Sequence, residues 1–179
     1  MKQDIDLLLI FLYFDALNYI GSSSNLNDEF KNKIMDEFEM KYLNLMHYFL
    51  GLEVYQCSDE IFVCQNKYAK YMLLKFEMES CKSLPTTIAH GELISTDDEG
   101  VRVNVTTYRS IIRSLIFLTN TRPDIAFTTS LVSIYMSDLF ESHLKVAKRI
   151  LIYIQGIIHF GIHYIKHGGV KLIGYNDSD

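Results

Sequence analysis

The stretch DLLLIFLYFDALNYIGSS, residues 6–23, decides the fold of the first part of the chain. It contains two apolar runs, Leu7 to Tyr13 and Leu17 to Ser22, on either side of a short interruption. Runs of this length around a tight turn predict a β-hairpin. The first run carries no charge, which predicts a strand buried on both faces. A carboxylate, Asp15, lies at the turn, and alanine follows it at position 16.

Composition limits the class of protein. The chain has 179 residues, of which 49% are hydrophobic, and a net charge of −5 from 17 basic and 22 acidic residues. These values predict one ordinary domain or two small ones and argue against a strong nucleic-acid binder as a whole. The three cysteines form no CxxC pair, which predicts a reduced, intracellular protein, cytoplasmic or nuclear, without disulfides or a zinc site.

Neither a membrane span nor a secretory signal is predicted. The longest apolar run, residues 7–14, is far shorter than the roughly 20 residues that cross a bilayer. The N-terminus lacks a small-residue cleavage site. We therefore expect no membrane partner.

Periodicity predicts an α+β fold. Apolar residues recur at three- or four-residue intervals in five segments, which predicts helices within 22–40, 66–78, 106–120, 121–137 and 142–156. We expect Ser24 or Asn25 to cap the first helix and a threonine to cap the third. Pro123 suits the first turn of the fourth, and Gly156 should stop the fifth. Further strands are predicted at 47–56 and 60–65, joined as a hairpin, and at 159–165 and 170–177 around a second turn.

Four blocks in order resemble the C-terminal part of the reverse transcriptase of Ty1/copia-type retrotransposons. They are the hairpin LYFDALNYIGSS, the segment FEMKYLNLMHYFLGLEV, the segment YRSIIRSLIFLTNTRPDIAFTTSLVSIYM with its signature TRPDI at 121–125, and the pair AKRILIYIQG and LIGYNDSD. The likeness covers nearly the whole chain. It implies partial polymerase palm hairpins, helical thumb and connection segments, and a truncated ribonuclease H-like strand pair.

The resemblance also implies a division into four parts. Residues 1–56 correspond to the C-terminal part of the palm with the start of the primer-grip hairpin. Residues 57–105 form a thumb-like segment and loop, and residues 106–157 form the helical connection. Residues 158–179 are the truncated start of the ribonuclease H domain.

A catalytic site is implied on the first hairpin, and the sequence departs from it. The family's site holds Mg²⁺ with two neighbouring acids of this hairpin and an acid from an earlier strand. Asp15 matches the first acid, as a catalytic and metal-binding remnant, whereas Ala16 stands where the second belongs. The earlier strand is not found between Met1 and the hairpin. We therefore expect an RNA-directed DNA polymerase fragment that is inactive in this form and does not bind Mg²⁺ productively. The alternative is a non-enzymatic nucleic-acid-binding or scaffold remnant.

Other candidate residues also come from the resemblance or from charge. Phe49, Leu50 and Gly51 resemble the primer grip, and Asp177 matches the first metal-binding acid of ribonuclease H. Lys145, Lys148 and Arg149 could contact nucleic acid, because phosphate binding needs clustered positive charge. The solvated face of an amphipathic helix is the favoured alternative for these three. The implied partners are an RNA or DNA template-primer and the remainder of a Pol polyprotein.

Three further expectations can be tested in the structure. His159, His163 and His167 recur every four residues, but in a strand and turn this spacing does not gather metal ligands. The TRPDI signature should be structural, with Asp124 near the positive end of a helix. The palm hairpin should expose apolar surface and cause poor solubility or self-association.

Overall fold

The computed structural model describes residues 6–14, 16–89, 101, 103–136 and 139–165. The chain forms two compact units, Met1–Met46 and His47–Asp179. Helices and antiparallel strands occupy separate stretches of the chain, which confirms the α+β class.

The first unit is a β-hairpin followed by a helix. Strands β1 (Leu8–Tyr13) and β2 (Ala16–Gly21) pair antiparallel, and helix α1 (Ser24–Glu37) follows. The hairpin and the helix were both predicted. The helix cap was not, because the hydroxyl oxygen of Ser23 accepts a 3.3 Å hydrogen bond from the Leu26 N–H and so caps α1 one residue earlier than expected.

Strand β1 is exposed, contrary to the prediction that both its faces are buried. Its side chains from Leu9 to Tyr13 are between 45% and 74% exposed. Among the residues that the structure describes, β1 has one strand neighbour, β2. Helix α1 contacts β2, where the rings of Tyr19 and Phe30 lie 5.0 Å apart. The apolar run therefore identified a strand correctly, but apolar composition alone did not fix what covers it.

Within the described residues, the second unit contains an antiparallel sheet of four strands. Its strands lie in the order β3 (Tyr48–Phe49), β4 (Leu52–Gln56), β5 (Glu60–Cys64) and β6 (Gly161–Ile165). The β4–β5 hairpin was predicted. The prediction of one strand over 47–56 was wrong, because the chain reverses at Leu50 and Gly51, which have φ angles of 49° and 85°. Phe49 pairs with Leu52 across this two-residue turn.

Strand β6 completes the sheet from far along the chain. It was predicted as a strand, and it pairs with β5 from Glu60 opposite Ile165 to Cys64 opposite Gly161. Its expected hairpin partner at 170–177 lies outside the described residues. The beginning of the segment assigned to ribonuclease H thus extends a sheet that starts in the preceding parts, and the four-part division remains a prediction.

In the described part of the second unit, four α-helices agree with the predicted ones. They are α2 (Asn66–Lys75), α3 (Val105–Leu118), α4 (Ala126–Ser133) and α5 (Glu141–Gly156). Pro123 opens a short 3₁₀ turn, Pro123–Ile125, before α4, and α5 ends at Gly156, as expected. The cap of α3 is Asn104 rather than a threonine, because its side-chain oxygen accepts the Thr106 and Thr107 N–H groups at 2.9 and 3.2 Å.

The hydrophobic core lies among these helices. Their apolar faces contribute fully buried side chains at helical spacing, which is what stabilises amphipathic helices in a folded unit. The buried members of α3 and α5 are Tyr108, Ile111, Ile112, Leu115, Leu118, Val146, Ala147, Ile150, Leu151 and Ile154.

Candidate functional site

The tip of the first hairpin is where the sequence predicts a catalytic remnant. Tyr13 pairs with Ala16, so that two residues connect β1 to β2. Phe14 has a φ of 52°, is 86% exposed, and places its ring edge-on to Tyr13 at 4.8 Å. Ala16 opens β2 and is exposed. Asp15 lies outside the described residues, and its role as a metal ligand remains a prediction.

The described residues of the tip do not fit a magnesium site. Mg²⁺ prefers carboxylate, phosphate and water oxygens in near-octahedral geometry. The side chains of Tyr13, Phe14 and Ala16 are a phenol, a benzyl group and a methyl group, and none supplies a carboxylate. No group of three or more His, Cys, Asp or Glu residues in the described ranges is arranged to hold a metal ion.

One of the regularly spaced histidines, His163, lies beside a carboxylate. His163 Nε2 lies 2.8 Å from Glu60 Oε2 across the β5–β6 pair, so this imidazole has a cross-strand carboxylate partner. His167 and Asp177 lie outside the described residues. His163 lies in β6, which agrees with the interpretation that this histidine spacing belongs to a strand.

The residues that resemble a primer grip form the β3–β4 turn. Leu50 is half exposed at its tip, and Phe49 ends β3. A side chain at Gly51 would place its Cβ 2.9 Å from the ring of Phe117, so the turn lies directly against α3. The glycine therefore permits a close approach of the turn to α3. Contact of this turn with a primer remains a prediction.

The three cations predicted as nucleic-acid contacts lie together on α5. Lys145, Lys148 and Arg149 line a cleft of about 420 Å³. Lys145 and Lys148 are exposed, whereas Arg149 is partly buried and donates a 3.0 Å hydrogen bond from a terminal guanidinium nitrogen to the Thr86 hydroxyl. The rest of the lining is mainly apolar and comprises Leu84, Ala89, Glu141, Leu144 and Ile152.

The TRPDI signature encloses a buried ion pair that sequence reasoning missed. Arg122 is 1% exposed, and its Nε and one terminal nitrogen donate to the two carboxylate oxygens of Asp124 at 2.9 and 2.7 Å. Its other terminal nitrogen donates to the Ile157 carbonyl, just beyond the end of α5, at 3.1 Å. The predicted structural role of the signature is supported, and the Arg-Pro-Asp spacing was the available signal for the pair.

Electrostatics keep Asp124 ionised. Burial opposes its charge, but the hydrogen bonds and positive charge of Arg122, together with the Tyr153 hydroxyl, outweigh burial and lower the pKa of the Asp124 carboxyl. Burial and the neighbouring Asp124 charge raise the pKa of the Tyr153 hydroxyl, so it stays protonated and donates. These groups connect the TRPDI turn to α5.

Neighbouring polar groups extend the connection to the sheet. The Thr121 hydroxyl donates to the Gln65 side-chain oxygen at 2.9 Å, and the Gln65 amide donates to the Phe117 carbonyl at 3.3 Å. Gln65 precedes α2, and the buried Glu53 of β4 accepts the Lys67 N–H in the first turn of that helix at 2.6 Å. The signature thus joins the ends of α2, α3 and α5.

Comparison with known proteins identifies the family. A family model described as reverse transcriptase (RNA-dependent DNA polymerase) matches residues 2–90. An uncharacterized mitochondrial protein of Arabidopsis thaliana is 30% identical over 172 residues, which are 96% of this chain and 71% of that protein. The chain belongs to the Ty1/copia-type reverse transcriptase family. The resemblance seen in the sequence is confirmed.

Transposon proteins match the reverse-transcriptase chain over nearly its full length. The retrovirus-related Pol polyprotein from transposon RE1 of Arabidopsis thaliana is 29% identical over all 179 residues, which are 12% of the polyprotein. The putative transposon Ty5-1 protein of Saccharomyces cerevisiae is 27% identical over 96% of this chain and 56% of its own length. No solved structure matches. The chain thus spans about an eighth of the RE1 polyprotein.

Within the described ranges, no helix of this reverse-transcriptase region is both long and apolar enough to cross a membrane.

Proposed function

We propose that this chain is a reverse-transcriptase segment that does not polymerise DNA by itself. The observation that carries the proposal is Ala16, which opens β2 opposite Tyr13 at the tip of the hairpin. The family resemblance puts a second acid at this position, beside Asp15. A methyl group has no lone pair to coordinate a cation, so the pair of neighbouring carboxylates is reduced to one.

Electrostatics explain why this loss is decisive. Two-metal phosphoryl transfer holds two divalent ions about 4 Å apart, where they clamp the attacking and leaving oxygens. Their mutual repulsion must be offset by several anionic oxygen ligands. Asp15 alone supplies one carboxylate, and the described neighbours Tyr13 and Phe14 supply none.

A primer-extension assay tests this proposal. The purified chain, given template, labelled primer, deoxynucleotides and Mg²⁺ or Mn²⁺, should extend no primer, while an active reverse transcriptase in the same buffer should. Asp15→Asn is the matched control, because a contaminating polymerase would be unaffected by it. Template-directed extension that the intact chain shows and Asp15→Asn abolishes would overturn the proposal.

A second candidate function is nucleic-acid binding without catalysis. The observation that favours it is the convergence of Lys145, Lys148 and Arg149 on one cleft beside α5. Clustered cations bind phosphates and release counterions, which makes the affinity depend on salt. The hydrogen bond from Arg149 to Thr86 holds one guanidinium in place at the cleft wall.

Binding to a primer–template duplex separates this function from the solvated-face alternative. By fluorescence anisotropy, the double variant Lys145→Gln, Lys148→Gln should bind several-fold more weakly and lower the slope of log affinity against log salt by about two. Lys70→Gln, an exposed change on α2, is the control and should have little effect. Binding that is absent, independent of salt or equally weakened by Lys70→Gln would contradict a specific α5 interface.

A further inference from the structure

We infer that the cleft beside α5 holds one unpaired nucleotide, with its phosphate on the cations and its base on the aliphatic lining. This inference deepens the second candidate function, nucleic-acid binding without catalysis, and rests on it. It adds a preference, because a base that is stacked and paired inside a duplex cannot enter a cleft in a protein surface. The ligand class is a nucleoside phosphate, which either a single strand or a free nucleotide can supply.

The first support is the close spacing of positive charge along the cleft. Lys145 and Arg149 are four positions apart on α5, about 6 Å along the helix axis at roughly 1.5 Å per residue, and Lys148 lies between them. Long side chains over so short a distance can reach the same phosphate group. Glu141 lines the cleft one turn before Lys145, and its negative charge disfavours a phosphate at that end.

The second support is that the protein itself does not neutralise these cations. None of the ion pairs in the described part of the chain includes Lys145, Lys148 or Arg149. Arg149 is partly buried, and its Nε lies out of solvent without a hydrogen-bond partner among those residues. Buried donors without a partner are rare in folded proteins. A cation held away from water is costly unless it is paired, and a phosphate in the cleft would offset that cost.

The third support is the apolar part of the lining. Leu144 and Ile152 lie eight positions apart on α5 with Lys148 midway, so the three side chains belong to one ridge of the helix. Leu84 and Ala89, from the segment that follows α2, also line the cleft. Backbone phosphates make no use of such a surface, whereas a nucleobase packs its face against apolar side chains. Cations beside aliphatic groups therefore fit a phosphate joined to a base better than a run of duplex phosphates.

The volume of the cleft agrees with a ligand of this size. It measures about 420 Å³, within the range of roughly 300–1,000 Å³ for small-molecule sites. Such sites combine a mainly apolar lining with a few polar groups that fix the orientation of the ligand. Here the Thr86 hydroxyl accepts the 3.0 Å hydrogen bond that holds the Arg149 guanidinium at the wall. The cleft thus suits one residue of a strand rather than a long stretch of backbone.

Fluorescence anisotropy with three labelled probes tests the inference. The probes are a single DNA strand of about 12 nucleotides, the same strand with abasic central positions, and a duplex of the same sequence. The intact single strand should bind about fivefold or more tightly than the other two, because only its bases can pack in the cleft.

Competition distinguishes the two sources of the ligand. Thymidine monophosphate that displaces the single strand at micromolar concentration, where inorganic phosphate does not, assigns the cleft to a free nucleotide. Displacement by unlabelled single strand alone assigns it to an unpaired residue of a strand.

Substitutions separate the base contact from the phosphate contact. Ile152→Gln should reduce the preference for the intact strand over the abasic one and leave the salt dependence unchanged. The double variant Lys145→Gln, Lys148→Gln should keep that preference and lower the slope of log affinity against log salt by about 1.4, at roughly 0.7 for each contact with a single strand. Leu74→Gln on α2, where the side chain is 63% exposed, is the matched control and should change neither.

Unchanged far-UV circular dichroism will show that each variant is folded. Equal binding of the intact and abasic strands overturns this inference but leaves nucleic-acid binding by α5 in place. A duplex that binds as tightly as the single strand, or an Ile152→Gln variant that discriminates like the parent, overturns it as well. Failure to bind any of the probes overturns the second candidate function too.

Discussion

Arg122 is the residue whose environment departs most from what its type suggests. Arginine is among the side chains least often buried, and its charge is costly to remove from water unless it is paired. Here the planar guanidinium is matched on one edge by both oxygens of Asp124 and on the other by the Ile157 carbonyl, and Phe160 lies 5.6 Å from it. Such bidentate geometry is specific to arginine.

Truncation of Arg122 should be strongly destabilising. Arg122→Ala leaves the partly buried Asp124 carboxylate and the Ile157 carbonyl without their donor, and removal of one partner of a buried pair costs about 3–5 kcal/mol. Urea unfolding followed by circular dichroism measures the change. Arg113→Ala, an exposed arginine on α3, is the control, and an equal loss in both variants would contradict a special role for the buried pair.

Asp124 should also make stability depend on acid pH. Its folded-state pKa is lowered, so its contribution is fully present above the unfolded value of about 3.9 and is lost as pH falls through the folded value. The stability difference between the parent and Asp124→Asn should therefore be constant from pH 7 to 5 and shrink below about pH 4. Urea titrations at each pH measure it, and a difference that grows in acid would contradict the lowered pKa.

For the TRPDI signature, local sequence rules predicted a structural role but not the burial of Arg122. Pro123 at a helix start and Asp124 near the helix dipole follow from local rules, and both agree with the structure. Burial of Arg122 depends on the Ile157 carbonyl, 35 residues away, which no local pattern contains. Asp15 and Asp177 came from family likeness, and their roles remain predictions.

Among the elements, the β3–β4 turn has the least expected sequence. Two-residue hairpins with positive φ at both positions favour Asn-Gly or Asp-Gly, whereas this turn carries Leu50 and Gly51. Leucine in this conformation costs roughly 1 kcal/mol. The apolar run continues through the turn, which is why periodicity predicted one unbroken strand there.

Substitutions in the turn should have opposite signs. Leu50→Asn should raise the free energy of unfolding by about 0.5–1 kcal/mol, because asparagine tolerates positive φ. Gly51→Ala should lower it by about 1 kcal/mol or more, since alanine is strained at φ 85° and its Cβ would approach Phe117. Thermal and urea unfolding measure both effects, and two changes of the same sign would contradict the turn geometry.

The helices were the most predictable elements, for a physical reason. Amphipathic periodicity reports which face of a helix is buried, and the apolar faces of α3 and α5 form much of the core. Cap positions were predicted less well. Ser23 and Asn104 are near other residues able to cap, and backbone geometry chooses between such neighbours.

Buried residues are distributed unevenly between the two units of the molecule. None of the described residues before His47 is buried, whereas the second unit contains an extensive helical core. Local opening costs least free energy where few apolar contacts must be broken. The sequence predicted exposed apolar surface on the first hairpin, and the structure locates it on β1 and the tip.

Hydrogen exchange should reveal this division. Amides of β1, β2 and α1 should exchange faster by orders of magnitude than those of α3 and α5, because few apolar contacts must be broken to open the first unit. Equal protection in both units would contradict this difference in local stability.

The pairing of β5 with β6 has a consequence during synthesis. Glu60 and His163 are partners across that pair, yet they are 103 residues apart in sequence. At an elongation rate of about 5–20 residues per second, β6 emerges from the ribosome roughly 5–20 seconds after β5. Through that interval the nascent polypeptide carries an incomplete sheet whose last strand has yet to be translated, so chaperones have time to engage it before the second unit closes.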